Sequence, residues 1–205
     1  MLKVGGVTRC TTIDYPGELA AVIFCQGCPW RCNYCHNKHL VPEAASSVIN
    51  WEEIISFLER RRNILDAVVF SGGEPTMQVL LPEAAQAVRQ MGFKIGLHTA
   101  GSFPERLRDC LPNLNWVGMD IKAPFEEYDM ITGISGSGDA ARMSAELVRH
   151  SGVRHQFRTT LDPFLQQESR IHGMQQMVAA WSGEDLVVQK INLTTSHKET
   201  HVCIS

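Results

Sequence analysis

No stretch of this 205-residue sequence approaches the roughly 20 consecutive apolar residues that a membrane-spanning helix requires. The opening residues, Met1-Leu2-Lys3-Val4-Gly5-Gly6, lack the apolar core of a secretory leader. There is no excess of one charge sign either. The net charge is −3 with both signs interspersed, so the basic stripe that nucleic acid or an anionic membrane would demand is missing. Internal repeats and low-complexity tracts are missing too. These absences lead us to expect a cytosolic (cytoplasmic) protein with no nucleic-acid and no membrane partner. With 44% apolar residues, the length suits one α/β domain over 1–205 with its own core and a polar C-terminal tail over about 193–205.

Cysteine is not scarce. There are seven, an odd number that argues against a disulfide framework in a reducing compartment, and Cys25, Cys28, Cys32 and Cys35 fall within one short segment. Such density in a cytosolic chain points to metal or redox chemistry. After residue 35 only Cys110 and Cys203 remain, too far apart in sequence to suggest a second cluster.

Apolar runs alternate with helical spacing along the chain. Strands are predicted at 20–24, a short apolar run, and at 67–70, 94–99, 116–121, 153–161 and 186–191. Asn50 with Glu53 reads as a capping box opening a helix whose apolar face carries Trp51, Ile54, Phe57 and Leu58. Leu81, Ala84, Ala85 and Val88 give a second helix, closed by Gly92. Others are expected from Pro104, over 140–150 and over 169–181, and Gly133 to Asp139 (GISGSGD) reads as a flexible loop. Six strands alternating with helices imply right-handed βαβ units and a parallel sheet. Six units fall short of a closed eight-stranded barrel, so the expected fold class is α/β, an open partial (β/α)6 barrel. Ligands of such folds gather at the carboxyl ends of the strands.

Three motifs follow predicted strands. The first is Cys28-x3-Cys32-x2-Cys35, with Tyr34 before the last cysteine. Thiolates suit iron–sulfur clusters and zinc alike. Three of them on a four-iron cubane would leave one iron open to a small molecule. A zinc site built from all four cysteines, with His36 as an alternative ligand, and a fully ligated electron-transfer cluster using Cys25 both stay open on this loop alone. Cys25 directly follows a buried strand and has packing as its simpler fate. The second motif is Ser71-Gly72-Gly73-Glu74-Pro75. Its glycines allow close backbone approach to a ligand, and Glu74 and the turn carbonyls could accept from an ammonium, though for this motif alone an ordinary strand-to-loop turn is the better explanation. In the third, strand alternation puts Asp120 and Lys122 on one face. A buried carboxylate–ammonium pair is costly unless it serves a polar ligand; the alternative is a surface pair at a strand end. Arg158, with Thr159 and Thr160, is a weaker candidate for the same pocket, and His98 reads most simply as a packed histidine.

Together the cysteine spacing, Tyr34 and the Gly-Gly-Glu-Pro turn resemble the radical SAM superfamily. That resemblance implies a [4Fe–4S] cluster held by Cys28, Cys32 and Cys35, with S-adenosyl-L-methionine (SAM) on the open iron. It implies reductive cleavage of SAM to methionine and a 5′-deoxyadenosyl radical. The same resemblance assigns SAM contacts to Tyr34, Gly72, Gly73, Glu74, Pro75, Thr99, Asp120 and Lys122. The usual Asp-Thr-Asn-Gly at the third strand end is replaced by His98-Thr99-Ala100-Gly101, which removes the carboxylate that a cation site would use. Thr12-Ile13-Asp14-Tyr15-Pro16-Gly17, Cys35-His36-Asn37, residues 71–76 and Met119-Asp120-Ile121-Lys122-Ala123-Pro124 are similar to the activating proteins of anaerobic ribonucleoside-triphosphate reductases, within the glycyl-radical enzyme activating family. The implied partners are a glycyl-radical enzyme, above all that anaerobic ribonucleotide reductase, and a flavodoxin or ferredoxin as electron donor. Two alternatives remain at this point. One is a small-molecule enzyme such as 7-carboxy-7-deazaguanine synthase, whose E-G-x-G stretch is absent. The other is a nonenzymatic iron–sulfur or zinc module.

Overall fold

The apolar runs become strands lying side by side in chain order. In the computed structural model, which describes residues 1–44, 49–161 and 168–189, these are β2 (Ala20–Cys25), β3 (Ala67–Gly72), β4 (Lys94–Thr99), β5 (Trp116–Asp120), β6 (Arg154–Thr160) and β7 (Val187–Gln189). Each is parallel to the next. The connections carry α1 (Trp51–Glu59), α2 (Leu81–Gln90), α3 (Pro104–Cys110), α4 (Tyr128–Thr132), α5 (Ser137–His150) and α6 (Glu168–Ser182). Every crossover advances by one neighbour in the same direction. Right-handed crossovers then place all helices on one face, and the sheet curls as an open partial barrel.

A seventh strand was not expected. β1 (Val4–Thr11) pairs antiparallel with β2, from Val4 opposite Cys25 to Thr11 opposite Ala20. Gly5 and Gly6 interrupt its alternation, and the ladder shifts register between Val4 and Gly6 and again between Thr8 and Thr11. Glycine inside a strand marks such irregularities and weakens the sequence signal.

The two faces of the sheet bury different things. On the helix side, Ala21, Ile23, Cys25, Val68, Phe70, Ile95, Leu97, Val117, Met119 and Phe157 pack with the buried residues of the helices in one core. The four apolar positions expected of α2 are all buried there, and so are Ile54, Phe57 and Leu58 of α1. On the concave side, Ala20, Val22, Val69 and Trp116 surround Tyr15, which comes from the turn between β1 and β2. The Tyr15 and Trp116 rings lie 5.4 Å apart. Gly96 makes room for this arrangement: a Cβ there would come 3.0 Å from the tyrosine ring. Tyr15 and Trp116 thus fill the floor of the lumen.

Two local expectations are corrected. Asn50 stands at the N-cap of α1 but caps nothing with its side chain; the Glu53 N–H donates instead to the Asn50 carbonyl at 3.1 Å. The segment 133–139 is not a flexible loop: residues 133–136 form a tied turn and 137–139 open α5. Gly133 ends α4 with φ 70°, Asp129 accepts from the Gly136 N–H and the Ser137 hydroxyl, and Thr132 and Ser137 share a hydrogen bond of 2.7 Å. The polar tail over 193–205 and the last two residues of the strand expected over 186–191 lie outside the described residues.

Candidate active site

The cysteine loop leaves β2 at its carboxyl end and is pinned on two sides. The Gly27 and Cys28 N–H groups donate to the Leu40 and Val41 carbonyls (2.8 and 3.0 Å), and the Arg31 N–H donates to the Thr132 carbonyl at 2.8 Å. Cys28, Cys32 and Cys35 are half-buried free thiols. Cys28 and Cys32 pack against an apolar cluster of Trp30, Ala123, Tyr128, Ile131 and Ala141. Burial, then the charge of Glu74, pushes the Cys28 thiol up to about 12. Burial also raises Cys32. Iron would displace those protons, since a bound metal deprotonates its thiols outright. Cys25 is fully buried and belongs to the helix-side core, a different cluster from the one that Cys28 and Cys32 pack against.

The glycine turn is built against the base of this loop. Gly73 N–H donates to the Cys25 carbonyl and Glu74 N–H to the Gly27 carbonyl, both at 2.9 Å. A Cβ on Gly73 would overlap the Gly27 carbonyl oxygen, and one on Gly72, which also has φ 117°, would overlap the Cys25 backbone. The paired glycines therefore admit the protein's own backbone. Glu74 is 1% exposed. Its Oε1 accepts from the Thr76 N–H (3.0 Å), the Thr76 hydroxyl (2.6 Å) and the Thr99 hydroxyl (2.6 Å), and its Oε2 from the Ala100 N–H (2.9 Å). Thr99 in turn accepts from the Gly101 N–H. The Glu74 carboxylate thus stitches the ends of β3 and β4 together. Pro75 begins a short 3-10 turn, Pro75–Met77, that Arg106 braces by donating to the Thr76 and Met77 carbonyls.

Charged side chains meet at the ends of β4, β5 and β6. Asp120 Oδ1 accepts from Arg158 Nε at 2.6 Å, and Asp120 Oδ2 lies 3.6 Å from Lys122 Nζ. Burial opposes the charge on Asp120, but Arg158 and then Lys122 outweigh it and hold the carboxyl below its usual range. Burial likewise opposes the Lys122 ammonium, yet Tyr34, Asp120 and Cys32 keep it protonated well above the ordinary lysine value. Lys122 Nζ lies 5.6 Å from the Tyr34 ring centroid, so the third motif reaches the cysteine loop. Tyr128 buttresses this corner from below, accepting from the Lys122 N–H at 2.9 Å.

Among the described residues no three His, Cys, Asp or Glu side chains gather tightly enough to hold a single metal ion. Three thiols on one pinned loop, beside an apolar wall, are a donor set for a cluster in which separate irons each take one sulfur. The radical SAM superfamily pattern matches residues 22–172. The chain belongs to the radical SAM superfamily. Members of this superfamily use a [4Fe–4S] cluster and SAM, and the thiols and the charged corner at Asp120 and Lys122 fit those two groups chemically. Within the superfamily the chain groups with the glycyl-radical enzyme activating enzymes. It is 31% identical over 182 residues to a Methanocaldococcus jannaschii protein named for that activity, covering 85% of this chain and 75% of that one. It is 29% identical over 171 residues to the pyruvate formate-lyase-activating enzyme of Clostridium pasteurianum, covering 80% and 71%. Streptococcus suis SuiB bound to S-adenosylmethionine shares the fold, with a TM-score of 0.63 at 14% identity, over 83% of this chain and 40% of SuiB.

The sequence singled out the cysteine trio, the glycine turn and the Asp120–Lys122 pair, and the fold gathers all three motifs at one rim. It undervalued Arg158, whose partner lies on another strand. The Glu74–Thr99 contact had no local signal, because it joins residues 25 apart in sequence. Among the described residues no helix is long and apolar enough to cross a membrane.

Proposed function

We propose that this radical SAM enzyme generates a glycyl radical on anaerobic ribonucleoside-triphosphate reductase. The observation that carries the SAM chemistry in this reading is the joint construction of the rim. The cysteine loop and the Gly72-Gly73 turn are hydrogen-bonded to each other, and Asp120 and Lys122 face the same corner. When bound, the cluster supplies the electron that cleaves SAM and so provides the radical that takes a hydrogen from a glycine Cα.

The chain's own residues do the rest. Cys28, Cys32 and Cys35 would hold the cluster, a set of three thiolates that would leave one iron open to SAM. The turn at Gly72 to Pro75 offers backbone carbonyls to the SAM ammonium, because the Glu74 carboxylate is already committed to Thr76, Thr99 and Ala100. Thr99 acts chiefly by fixing Glu74. Asp120 takes the ribose hydroxyls, Lys122 the SAM carboxylate, and Tyr34 covers the Lys122 side of the site. Tyr15 and Trp116 fill the lumen floor, so a shallow reaction zone remains, which suits a loop of a protein substrate presented at the mouth. The resemblance of Thr12 to Gly17 and of residues 119–124 to reductase-activating proteins favours that reductase over other glycyl-radical enzymes. A flavodoxin or ferredoxin would deliver the electron, and the cytoplasm is the matching compartment.

The test is anaerobic incubation of the cluster-loaded protein with SAM, a reductant and candidate partners, followed by electron paramagnetic resonance. A glycyl radical on the anaerobic reductase, altered in splitting when its glycines are deuterated, is the expected result. A radical on pyruvate formate-lyase alone would move the assignment to that partner.

A further inference from the structure

The three motifs leave Arg158 without a role, yet the lumen is shaped around it. Its guanidinium lies over Gly118, where a Cβ would come 2.9 Å from Arg158 Nη1 and 2.6 Å from the Trp116 ring. β5 thus omits one side chain at the position that admits this cation. Arg158 is 9% exposed, and a cation so deeply placed requires a carboxylate partner. Asp120 provides it through Oδ1 at 2.6 Å, while Oδ2 is left toward Lys122.

His98 forms the remaining wall. Its Nε2 lies 2.8 Å from the Asp14 carbonyl oxygen, a contact that requires the proton on Nε2. Nδ1 then accepts from the Ser71 hydroxyl, 3.5 Å away. Arg158 Nη1 is 3.3 Å from Nε2, but a nitrogen whose proton points at Asp14 has no lone pair for a guanidinium. A second proton on the ring would set two cations side by side. His98 is therefore a neutral wall that offers Arg158 no competing acceptor, and the Thr12–Gly17 turn fixes its tautomer through the Asp14 carbonyl.

We propose that Arg158 is a positioning residue for Asp120: it clamps Oδ1, so that the carboxylate presents Oδ2 to the site in one orientation, with His98 and Asp14 fixing the clamp. The inference rests on the reading above that Asp120 contacts SAM. It also links the Thr12–Gly17 turn to this corner, through the Asp14 carbonyl at His98.

The experiment uses cluster-loaded enzyme and measures SAM affinity and steady-state kinetics for Asp120→Asn, Arg158→Met, Arg158→Lys and the double variant Asp120→Asn/Arg158→Met, with iron content as the check on folding. Arg158→Met should bind SAM about tenfold more weakly, chiefly through KM, with kcat at saturating SAM retained. Arg158→Lys, which keeps the charge but not the planar fork, should weaken binding by less. The double variant should bind no worse than Asp120→Asn alone, because Arg158 acts through that carboxylate. Wild-type affinity in Arg158→Met, with Asp120→Asn impaired, overturns the clamp and leaves the Asp120 contact standing. Additive losses in the double variant overturn it as well. Unchanged affinity in Asp120→Asn removes both the clamp and the SAM contact on which it rests. If Arg158→Met fails to load iron, Arg158→Lys decides the matter, and wild-type affinity there counts against the clamp.

Discussion

The strand bodies on the helix side and the rim at the strand ends are built by opposite means. On the helix side, residues such as Ile23, Val68, Ile95 and Val117 are fully buried, and each contributes apolar surface that a similar side chain could replace. At the rim, backbone meets backbone at Gly73 and Gly27, a carboxylate accepts four hydrogen bonds at Glu74, and an arginine lies where Gly118 leaves space. A core of the first kind tolerates exchange. An assembly of the second kind loses its geometry when one member changes, because buried polar groups left unpaired are costly. The difference teaches where the fold is general and where it is committed to one chemistry.

The sharpest way to break this contrast is at Gly73. Gly73→Ala places a methyl on the Gly27 carbonyl, which cannot move without displacing the cysteine loop. A loss of about 3 kcal/mol, the upper end for overpacking, is expected, visible as a lowered melting temperature and poor iron loading after anaerobic reconstitution. Gly173→Ala is the control: nothing lies near that helical glycine, so stability should hold or rise by up to about 1 kcal/mol. Equal behaviour of the two variants would erase the distinction.

Next in size, Asp120→Asn and Lys122→Ala should each weaken SAM binding by roughly tenfold to a hundredfold, equivalent to about 1.5–3 kcal/mol, while iron content is unchanged. Full affinity in both would make the corner merely structural.

A smaller effect concerns pH. Burial, then Arg158, pushes the His98 ring down from 6.5 to about 4. The unfolded chain thus takes up a proton near pH 6.5 that the folded chain refuses until about pH 4. The stability present above 6.5 is lost progressively as pH falls through that window. Between pH 7 and pH 5 this amounts to about 2 kcal/mol, or roughly 4–8 °C in melting temperature. His98→Gln has no such ring, so its melting temperature should fall less over the same interval. Parallel curves for the two proteins would count against a neutral, walled-in His98.

The smallest expected effect belongs to the strand body. Cys25→Ala removes a buried sulfur from the helix-side core and should lower stability by about 1 kcal/mol while leaving iron loading and SAM cleavage intact. Loss of the cluster in this variant, with retention in Cys28→Ala, would shift the ligand set by one cysteine.

The parallel strands and the spacing of α2 were legible in the sequence because burial imposes its period directly on residue choice. Leu81, Ala84, Ala85 and Val88 are a helical stripe whether or not the fold is known. The cysteine spacing and the Gly-Gly pair were legible for a related reason, since few arrangements of chain demand those residues. β1 was hidden because its pairing partner, not its own alternation, makes it a strand. Asn50 looked like a cap by residue type, but whether a side chain turns inward depends on neighbours that a local pattern does not contain. The same limit concealed the Glu74–Thr99 brace and the Arg158 clamp. Both are contacts between different strands, created by register, and residue spacing along one strand carries no record of them.

Strand order in the sheet is also the order of synthesis. Each new strand meets an edge already made, so the barrel can grow from its first hairpin as the chain emerges. The cysteine loop is produced early, with β2, but the glycine turn that locks its base arrives only with β3, and the Asp120 corner later still. During translation there is thus an interval in which the thiols exist without their scaffold. Iron delivery that waits for β3 would meet a loop already held at Cys25 and Gly27, whereas earlier delivery would meet unconstrained thiolates.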